Sequence, residues 1–258
     1  MLRNLQGNAT IAAAYSSASQ KARVVTEGWI EANGYCLACE SDNLIPTRRN
    51  TRARDFECQQ CSHPYELKST AGRFGKRIVD GAYATMMKRV QESTTPTLLL
   101  LEYSPSWEVR NLSAIHHSLI TPLAIERRKP LSATAKRSGW IGCNISLSSI
   151  PPEGQIQVVT AGCFLSPLQC RIKFASVEKI AAIPTAERTW TSNMLLLLHG
   201  LGKRDFTIKD AYSLEDDLSK RYPSNHHIRE KIRQQLQLLR NSGLLTFKSR
   251  GHYHLTMK

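Results

Sequence analysis

Two Cys-x-x-Cys pairs constrain the fold of this chain more than any other feature. The pairs are Cys36/Cys39 and Cys58/Cys61, and eighteen residues separate them. This spacing is typical of a four-thiolate zinc site, in which two turns from different parts of the chain are held together by one ion. Four thiolates leave no coordination position for a substrate, so we predict a structural zinc site. Any fold for this chain must therefore bring the two turns together.

Three further cysteines, Cys143, Cys163 and Cys170, complete a total of seven. The sequence has no recognisable export signal and no apolar run of the roughly 20 residues that a membrane helix needs. Metal binding is therefore favoured over a disulfide framework, and we expect an intracellular, cytoplasmic protein without a membrane partner. The three remaining cysteines are expected to be buried thiols.

The chain is strongly basic. Its 35 Lys and Arg residues outnumber 21 Asp and Glu, which gives a net charge of +14. Such an excess is typical of proteins whose partner is rich in phosphates. An apolar fraction of 41% in 258 residues can fill a core, so the chain is expected to be globular. Nucleic acid is the expected partner, and an ordinary basic protein is the alternative.

The second Cys pair lies within the segment DFECQQCSHPYELKS (55–69), which also carries the candidate catalytic residues. Because side chains alternate along a strand, Glu66 and Lys68 share one face at a spacing of about 6.6 Å, and Leu67 faces the other way. A neighbouring strand carrying Asp55 could place a second carboxylate beside Glu66. An aspartate followed by Glu-x-Lys is typical of metal-dependent phosphodiester hydrolysis.

Each residue type has a part in that chemistry. Asp55 and Glu66 would hold a hard cation such as Mg²⁺, which keeps several waters and activates one of them. Lys68 would stabilise the negative charge that develops on the phosphate. The motif is short, and a solvated pair of surface charges is the alternative interpretation. Three further carboxylates compete for a place at the metal: Glu27, Glu57 and Asp80.

A zinc site inside a catalytic hairpin has a physical purpose. A two-stranded hairpin alone is only marginally stable in water, and four thiolates would fix the strands that carry Asp55, Glu66 and Lys68. We therefore expect zinc to be structural and magnesium to be catalytic.

The remaining periodicity of the first part predicts a mixed α/β layered fold. An apolar run such as TLLLLEYS is typical of a strand that is buried on both faces. Gly34 is expected to end the first helix. The predicted elements are helices at 19–32 and 80–91, and strands at 97–104, 106–112 and 155–162.

The last part of the chain predicts a winged helix-turn-helix. Helices are expected at 191–202, 206–222 and 224–243, followed by a hairpin at 244–255. The third helix carries an apolar stripe and a basic face, which favours DNA binding over a small structural helical domain. The stripe consists of Ile228, Ile232, Leu236 and Leu239. We place the join within 174–190 and predict domains at 1–183 and 184–258.

A set of longer motifs spans the chain from residue 20 to the wing. They are QKARVVTEGW (20–29), DF-x-C-x-x-C (55–61), YELKS (65–69), DGAYATMMKRVQ (80–91), RKPL with TA-K-R-x-GWIGCNI (128–145), and HI-x-EKIRQQLQ-x-LR (227–240). Together with the two Cys pairs, they resemble the DpnI-like, methyl-directed type II restriction endonucleases of the PD-(D/E)xK superfamily. Matches of this length are highly specific.

The resemblance implies an α/β PD-(D/E)xK nuclease domain with an inserted four-cysteine zinc site, followed by a winged helix, each able to bind GATC containing N6-methyladenine. It implies Mg²⁺-dependent cutting of both strands of double-stranded DNA between the methylated adenine and thymine, which leaves blunt ends. It puts Asp55, Glu66 and Lys68 at the catalytic and magnesium positions and the four paired cysteines at the zinc positions. It also puts Trp140 against the adenine methyl groups.

The chain departs from the superfamily pattern before the hairpin. Arg54 stands where the name of the motif has proline, and the loop at 41–53 diverges. The loop carries three arginines: Arg48, Arg49 and Arg52. The resemblance therefore implies nothing about the contacts that this loop makes.

Two groups of residues are expected to read DNA. A methyl group buried against Trp140 would gain roughly 0.8 kcal/mol by leaving water, although a core tryptophan is the alternative. On the third helix of the winged unit, Arg suits guanine and Gln suits adenine in the major groove. The candidates there are Arg229, Lys231, Arg233, Gln234 and Gln235.

Two other functions fit the same sequence. The first is a zinc-stabilised winged-helix regulator without nuclease activity, and the second is a nuclease of the same fold with another specificity. The favoured interpretation is a monomeric endonuclease that acts on adenine-methylated DNA in the bacterial cytosol or nucleoid.

Overall fold

The computed structural model describes residues 3–48 and 54–256. The helices are α1 (Ala18–Asn33), α2 (Tyr83–Gln91), α3 (Pro167–Ala181), α4 (Thr185–Gly200), α5 (Ile208–Tyr212), α6 (Glu215–Arg221) and α7 (Ile228–Ser242). Within the described ranges, no helix combines the length and apolar character needed to cross a bilayer.

The strands form three sheets. They are β1 (Leu44–Pro46), β2 (Phe56–Cys58), β3 (Pro64–Ala71), β4 (Arg77–Ala82), β5 (Thr97–Tyr103), β6 (Val109–Ile115), β7 (Ile125–Arg127), β8 (Gly142–Ser146), β9 (Gln155–Thr160), β10 (Cys163–Phe164), β11 (Asp205–Thr207), β12 (Leu245–Ser249) and β13 (His252–Leu255). The sheet orders are β1-β2-β3-β5-β6-β9-β10, β4-β8-β7 and β11-β13-β12.

The seven-stranded sheet is the centre of the first part. Strands β3 and β5 run parallel, with Glu66 opposite Leu98 and Lys68 opposite Leu100. β2 and β3 form the antiparallel hairpin that the sequence predicts. Both faces of β5 are covered, which explains its unbroken apolar run: Leu98 and Leu100 belong to one hydrophobic cluster, and Leu99 and Leu101 belong to another. The predicted mixed α/β fold is confirmed.

The sheet β4-β8-β7 lies beside α2 and differs from the sequence-based prediction. We expected a helix from residue 80, but residues 80–82 complete β4, and α2 begins at Tyr83. Asp80 pairs with Cys143, and a bulge follows it. Pairing of Asp80 with a residue 63 positions further along the chain therefore overrides the local helical pattern at this point.

The first helix agrees closely with the prediction, since α1 ends at Asn33. Gly34 has a φ of −70°, so it does not adopt the left-handed conformation of a typical glycine stop. A Cβ atom there would lie 2.5 Å from the Ile30 carbonyl oxygen. Close approach of the backbone therefore explains this glycine.

The expectation of three buried leftover cysteines is only partly correct. Cys143 and Cys170 are buried, whereas Cys163 is exposed. Cys163 lies on β10, the outermost strand of the central sheet, where only β9 is a neighbour. Its position on the sheet edge explains the exposure.

The second part is a helix-turn-helix unit with a small sheet. The predicted helix at 206–222 is divided: residues 205–207 form β11, and α5 and α6 follow. Thr207 and Asp210 form a reciprocal capping box that starts α5, which explains why the helix does not begin earlier. The wing therefore has a third strand, because β11 pairs with β13.

The two parts share one hydrophobic cluster. It contains Leu98 and Leu100 of β5, Ile180 of α3, Leu198 of α4 and Leu239 of α7, all buried. The turn at 182–184 joins α3 directly to α4. The winged unit is therefore packed onto the α/β part through an apolar surface.

Candidate active site

A lysine lies between two carboxylates on β3 and β4. Lys68 Nζ is 2.6 Å from Glu66 Oε1 and 2.9 Å from Asp80 Oδ1. The carboxylates are shielded from water, with 13% and 11% of the Glu66 and Asp80 side chains exposed. Strand alternation brings Glu66 and Lys68 to the same face, as the sequence predicts. The β4 strand supplies the third member.

Asp55, in the other arm of the hairpin, is hydrogen-bonded to strand β3. It directly precedes β2, and its Oδ2 atom accepts a hydrogen bond of 2.8 Å from the backbone N–H of Leu67. Its own N–H donates to the carbonyl oxygen of Tyr65 at 2.8 Å. Asp55 is therefore fixed at the level of the residue between Glu66 and Lys68.

The competing carboxylates occupy different positions. Glu57 forms an ion pair with Arg54 at 3.6 Å, and Glu27 accepts a hydrogen bond of 2.7 Å from Arg23. The pKa of Arg23 is raised mainly by its bond to Glu27, with a smaller contribution from Asp55. Glu27 thus lies on the Asp55 side of the site. Asp80, the weakest of the three candidates by sequence, makes the direct contact with Lys68.

The charges in this cluster are strongly coupled. Burial raises the pKa of Glu66; the Lys68 ammonium lowers it, and the negative charges of Asp80 and Asp55 raise it further. Burial would lower the pKa of Lys68, but Glu66 and Asp80 outweigh this effect and raise it above its usual range. Two carboxylates contact the ammonium, and Asp55 adds a third negative charge near Glu66. The cluster therefore carries excess negative charge, which favours a cation.

An open cavity of about 280 Å³ adjoins the cluster. Glu66 and Asp80 line it on one side, and Thr85, Met86 and Arg89 of α2 line it on the other. The carboxylates thus face a space large enough for a hydrated cation or a phosphate group.

The four paired cysteines come together as predicted. Their Sγ atoms all lie within 4.8 Å of one another, with 3.6 Å between Cys36 and Cys61 and 3.5 Å between Cys39 and Cys58. Four sulfurs about 2.3 Å from a tetrahedral ion are about 3.8 Å apart, so the separations fit. Burial raises the pKa of Cys58, but backbone hydrogen bonds from Cys61 and Gln60 outweigh it and lower the value to about 6. The cluster could hold a metal ion.

Tyr65 connects this cluster to strand β3. Its buried hydroxyl oxygen accepts a 2.9 Å hydrogen bond from the backbone N–H of Leu37 and lies 3.3 Å from Cys36 Sγ. Tyr65 immediately precedes Glu66 on β3. Arg171 of α3 braces the first cysteine turn by donating to the carbonyl oxygen of Cys36 at 3.0 Å. A rigid cysteine cluster therefore restrains the strand that carries Glu66 and Lys68.

Trp140 lies at the end of the long loop between β7 and β8. It is partly buried and belongs to neither hydrophobic cluster of the described residues, which disfavours the core interpretation. Its indole ring covers Gly142, where a Cβ atom would come within 2.8 Å of the ring. A backbone hydrogen bond from the Leu131 N–H to the Trp140 carbonyl oxygen closes the loop. Gly142 pairs with Ala82 near the Asp80 bulge.

The α7 helix presents only some of the five predicted DNA-contacting residues to solvent. Arg229, Arg233 and Gln234 are exposed. The guanidinium groups of Arg229 and Arg233 lie 5.3 and 5.5 Å from the ring centre of Tyr212, which holds them on one face.

The other two candidates, Lys231 and Gln235, are held against α4. Gln235 is fully buried, accepts a 2.8 Å hydrogen bond from Thr191 and donates a 3.0 Å bond to Glu187. Lys231, with 14% of its side chain exposed, binds Glu187 at 2.6 Å and lies over the Trp190 ring. Both residues fasten α7 to α4 and do not face solvent. The four predicted apolar stripe residues are buried as expected.

The arginine-rich loop before the hairpin is described only at its ends. Arg54 pairs with Glu57, whereas Arg49 and Arg52 lie outside the described residues. The predicted importance of this loop stays a prediction.

An α/β nuclease-like domain with a four-cysteine cluster, followed by a helix-turn-helix domain, defines a class of DNA-acting proteins. A family model described as the DpnI, Dam-replacing family matches residues 3–182. A second, described as the Dam-replacing HTH domain, matches residues 186–255. The chain belongs to the DpnI Dam-replacing family. This membership supports a methylation-dependent restriction endonuclease with a DNA-binding HTH domain.

Proposed function

We propose that the protein is a type II restriction endonuclease that cleaves double-stranded DNA at GATC sites containing N6-methyladenine. Cutting between the methylated adenine and thymine of both strands would leave blunt ends. One observation carries the proposal: Lys68 lies between the buried carboxylates of Glu66 and Asp80 beside an open cavity. Membership of the DpnI family supports the substrate class.

The carboxylates fit a magnesium ion. Burial and the nearby charges of Asp80 and Asp55 raise the pKa of Glu66, so the cluster gains from a cation. We assign the ion to Asp55 and Glu66, with Asp80 adding negative charge nearby. When bound, Mg²⁺ would activate a water and neutralise charge on the phosphate.

The protein's own groups would prepare the reaction. The Leu67 N–H holds the Asp55 carboxylate in place. Strand β3 carries Glu66 and Lys68 on the same face. Asp80 keeps the Lys68 ammonium charged and oriented through the 2.9 Å contact. A charged ammonium at this position would stabilise the phosphate's developing negative charge. Asp80 is thus proposed as a positioning residue.

We further propose that the four-cysteine cluster holds a structural Zn²⁺ ion. The sulfur separations support tetrahedral thiolate coordination, and four thiolates leave no position for a substrate. Tyr65 would carry the rigidity of this site to β3.

Two surfaces are proposed to recognise the DNA. Arg229, Arg233 and Gln234 on the exposed face of α7 suit phosphates and base edges in the major groove. Trp140, whose ring is partly exposed near the active-site strand β4, would pack against the adenine methyl groups. We propose domains at 1–183 and 184–258, a monomer, and action in the bacterial cytosol or nucleoid.

Cleavage of matched plasmids tests the proposal. Plasmid from a host that methylates GATC adenine should be linearised and fragmented in the presence of Mg²⁺, with blunt ends by sequencing. The same plasmid without methylation should stay intact. Lys68→Ala should bind the methylated DNA with little change in affinity but cut it at least about 100-fold more slowly.

The other outcomes distinguish the alternatives. Retarded migration of either plasmid without cutting would indicate a DNA-binding regulator. Equal cutting of both plasmids would indicate a nuclease of different specificity.

A further inference from the structure

A second group of metal-ligating side chains lies away from both the carboxylates and the cysteines. His116 follows β6, His117 begins a short 3₁₀ turn, and Glu178 lies on α3. One ligand atom from each side chain lies within 4.8 Å of the other two. We propose that these three residues form a second transition-metal site, with two histidines and one glutamate, for an ion such as Zn²⁺. The proposal does not depend on the nuclease activity.

Three buried atoms in this group have no hydrogen-bond partner outside it among the described residues. They are His116 Nε2, His117 Nδ1 and Glu178 Oε2. His116 Nε2 and Glu178 Oε2 meet each other at 3.0 Å, whereas His117 Nε2 is 3.8 Å from Glu178 Oε1. Buried polar atoms normally find partners, and an ion between the three side chains would supply one to the histidine that lacks a close contact.

The separations are also compatible with an ion between the side chains. Nitrogen and oxygen ligands about 2.0–2.1 Å from a tetrahedral zinc ion lie about 3.3 Å apart. The two observed N···O distances, 3.0 and 3.8 Å, fall on either side of this value. Imidazole and carboxylate are also ligands that zinc and similar divalent ions accept.

The surroundings hold the histidine rings in place. The His116 ring packs 4.1 Å from the Phe174 ring centre and 4.6 Å from that of His117. In this structure His116 Nδ1 accepts a 3.2 Å hydrogen bond from the Ser118 backbone N–H, so the proton of the neutral ring lies on Nε2. Binding an ion at Nε2 would move that proton to Nδ1, where Ser118 Oγ, 2.8 Å away, would accept a hydrogen bond from it.

The position suggests what the ion would do. Glu178 remains 44% exposed, which provides a route for the ion from solvent. Three protein ligands leave one position for water. The ion would tie the turn after β6 to α3, the helix that leads into the winged unit. A structural role in holding the two parts together follows from this position.

Metal content tests the proposal directly. The full-length protein is loaded with Zn²⁺, and excess zinc is removed by gel filtration. Elemental mass spectrometry should then find two zinc ions per chain. His117→Ala and the nearly isosteric Glu178→Gln should each hold one, because losing a ligand weakens binding by at least about tenfold. Cys58→Ser should lose the ion of the cysteine cluster. Loading with Co²⁺ then identifies which site is still occupied, because only an ion bound by cysteine shows thiolate charge-transfer absorption.

A matched control separates ligands from ordinary buried histidines. His199 Nε2 lies 2.8 Å from Glu153 Oε1, a histidine–glutamate pair with only two members. His199→Ala should still hold two ions. One zinc per chain in the unaltered protein, unchanged by Glu178→Gln, would overturn the proposal and leave a metal-free polar network. No DNA is used, so the result is independent of the proposed cleavage.

Discussion

At the scale of single residues, Asp80 has the most informative position. It contributes to the cavity beside Glu66 and makes the second contact to Lys68. Its carboxylate adds negative charge without having to bind the cation itself. Such a residue is expected to tune cation affinity and the position of the ammonium together.

Asp80→Asn should therefore raise the Mg²⁺ concentration needed for half-maximal DNA cleavage by about tenfold, equivalent to about 1.4 kcal/mol. The loss of one nearby negative charge is the physical reason. Cleavage rates measured across a magnesium series test this. Glu57→Gln is the matched control, because Glu57 pairs with Arg54 instead, and its magnesium dependence should stay unchanged. Identical curves for Asp80→Asn and the unaltered enzyme would remove Asp80 from the site.

Glu66 gives a prediction for stability without magnesium. Its pKa is raised in the folded protein by burial and by neighbouring carboxylates, so the folded state binds this proton more tightly than the unfolded chain does. The ionised group therefore lowers stability at neutral pH, and this cost disappears as the pH falls through the folded pKa. Glu66→Gln should raise the free energy of unfolding at pH 7, with a smaller difference in acid.

Asp210 is a control in which the pKa shift, and therefore its effect on stability, has the opposite sign. Its bonds to Lys203 and Thr207 lower its pKa from 3.8 to about 2, so it stabilises the fold above pH 3.8 and loses this effect as the pH falls toward 2. Asp210→Asn should lower stability at pH 7. Urea unfolding at several pH values, with zinc retained, measures both effects. If Glu66→Gln were less stable than the unaltered protein at pH 7, the inference that ionised Glu66 lowers stability would be contradicted.

At the scale of elements, α7 separates DNA contact from packing. Arg233 is exposed and rests against Tyr212, whereas Lys231 is held by Glu187 and Trp190. The two cations are only two residues apart but lie on different faces of the helix. Their substitution should therefore have different consequences.

Arg233→Ala should weaken DNA binding and reduce the slope of log affinity against log salt by about 1, because one phosphate contact is lost. Lys231→Ala should leave this slope unchanged but lower the free energy of unfolding by about 1–3 kcal/mol, because a shielded charged hydrogen bond is lost. Fluorescence anisotropy over a salt series, in a Lys68→Ala background, gives the slopes. If Lys231→Ala reduced the salt slope and Arg233→Ala did not, α7 would present its Lys231 face to the DNA.

The same elements show what a sequence can and cannot predict here. Local patterns suffice for the cysteine turns, the buried strand β5 and the apolar stripe of α7. Gln235 occupies a position of that stripe, seven residues after Ile228, but its polar side chain suggests exposure. Its burial depends on Thr191 and Glu187 of α4.

The sequence ranked Asp80 last among the competing carboxylates for a related reason. The residues from 80 onward have helical periodicity, and their assignment to β4 depends on pairing with β8. Non-local contacts of this kind leave little signal in a single sequence. Local spacing found Asp55, Glu66 and Lys68, whereas the partner that orients the lysine required the tertiary structure.

At the scale of the whole molecule, the shared cluster argues against two independent folding units. Leu98 of β5, Leu198 of α4 and Leu239 of α7 are all fully buried within one continuous apolar core. Separating the winged unit would expose this surface to water. Binding of DNA by α7 and cleavage by β3 would then occur on one mechanically connected body.

Leu198→Ala should consequently destabilise both parts together, by about 2–5 kcal/mol. Native-state hydrogen exchange in increasing urea reports the opening free energy of each element. The opening free energies measured at amides of α7 and β5 should fall by the same amount. Leu168→Ala is the control, since Leu168 of α3 is 66% exposed and its loss should change neither element. If α7 lost protection while β5 kept it, the winged unit would open alone, and the apolar contact would not couple the two parts.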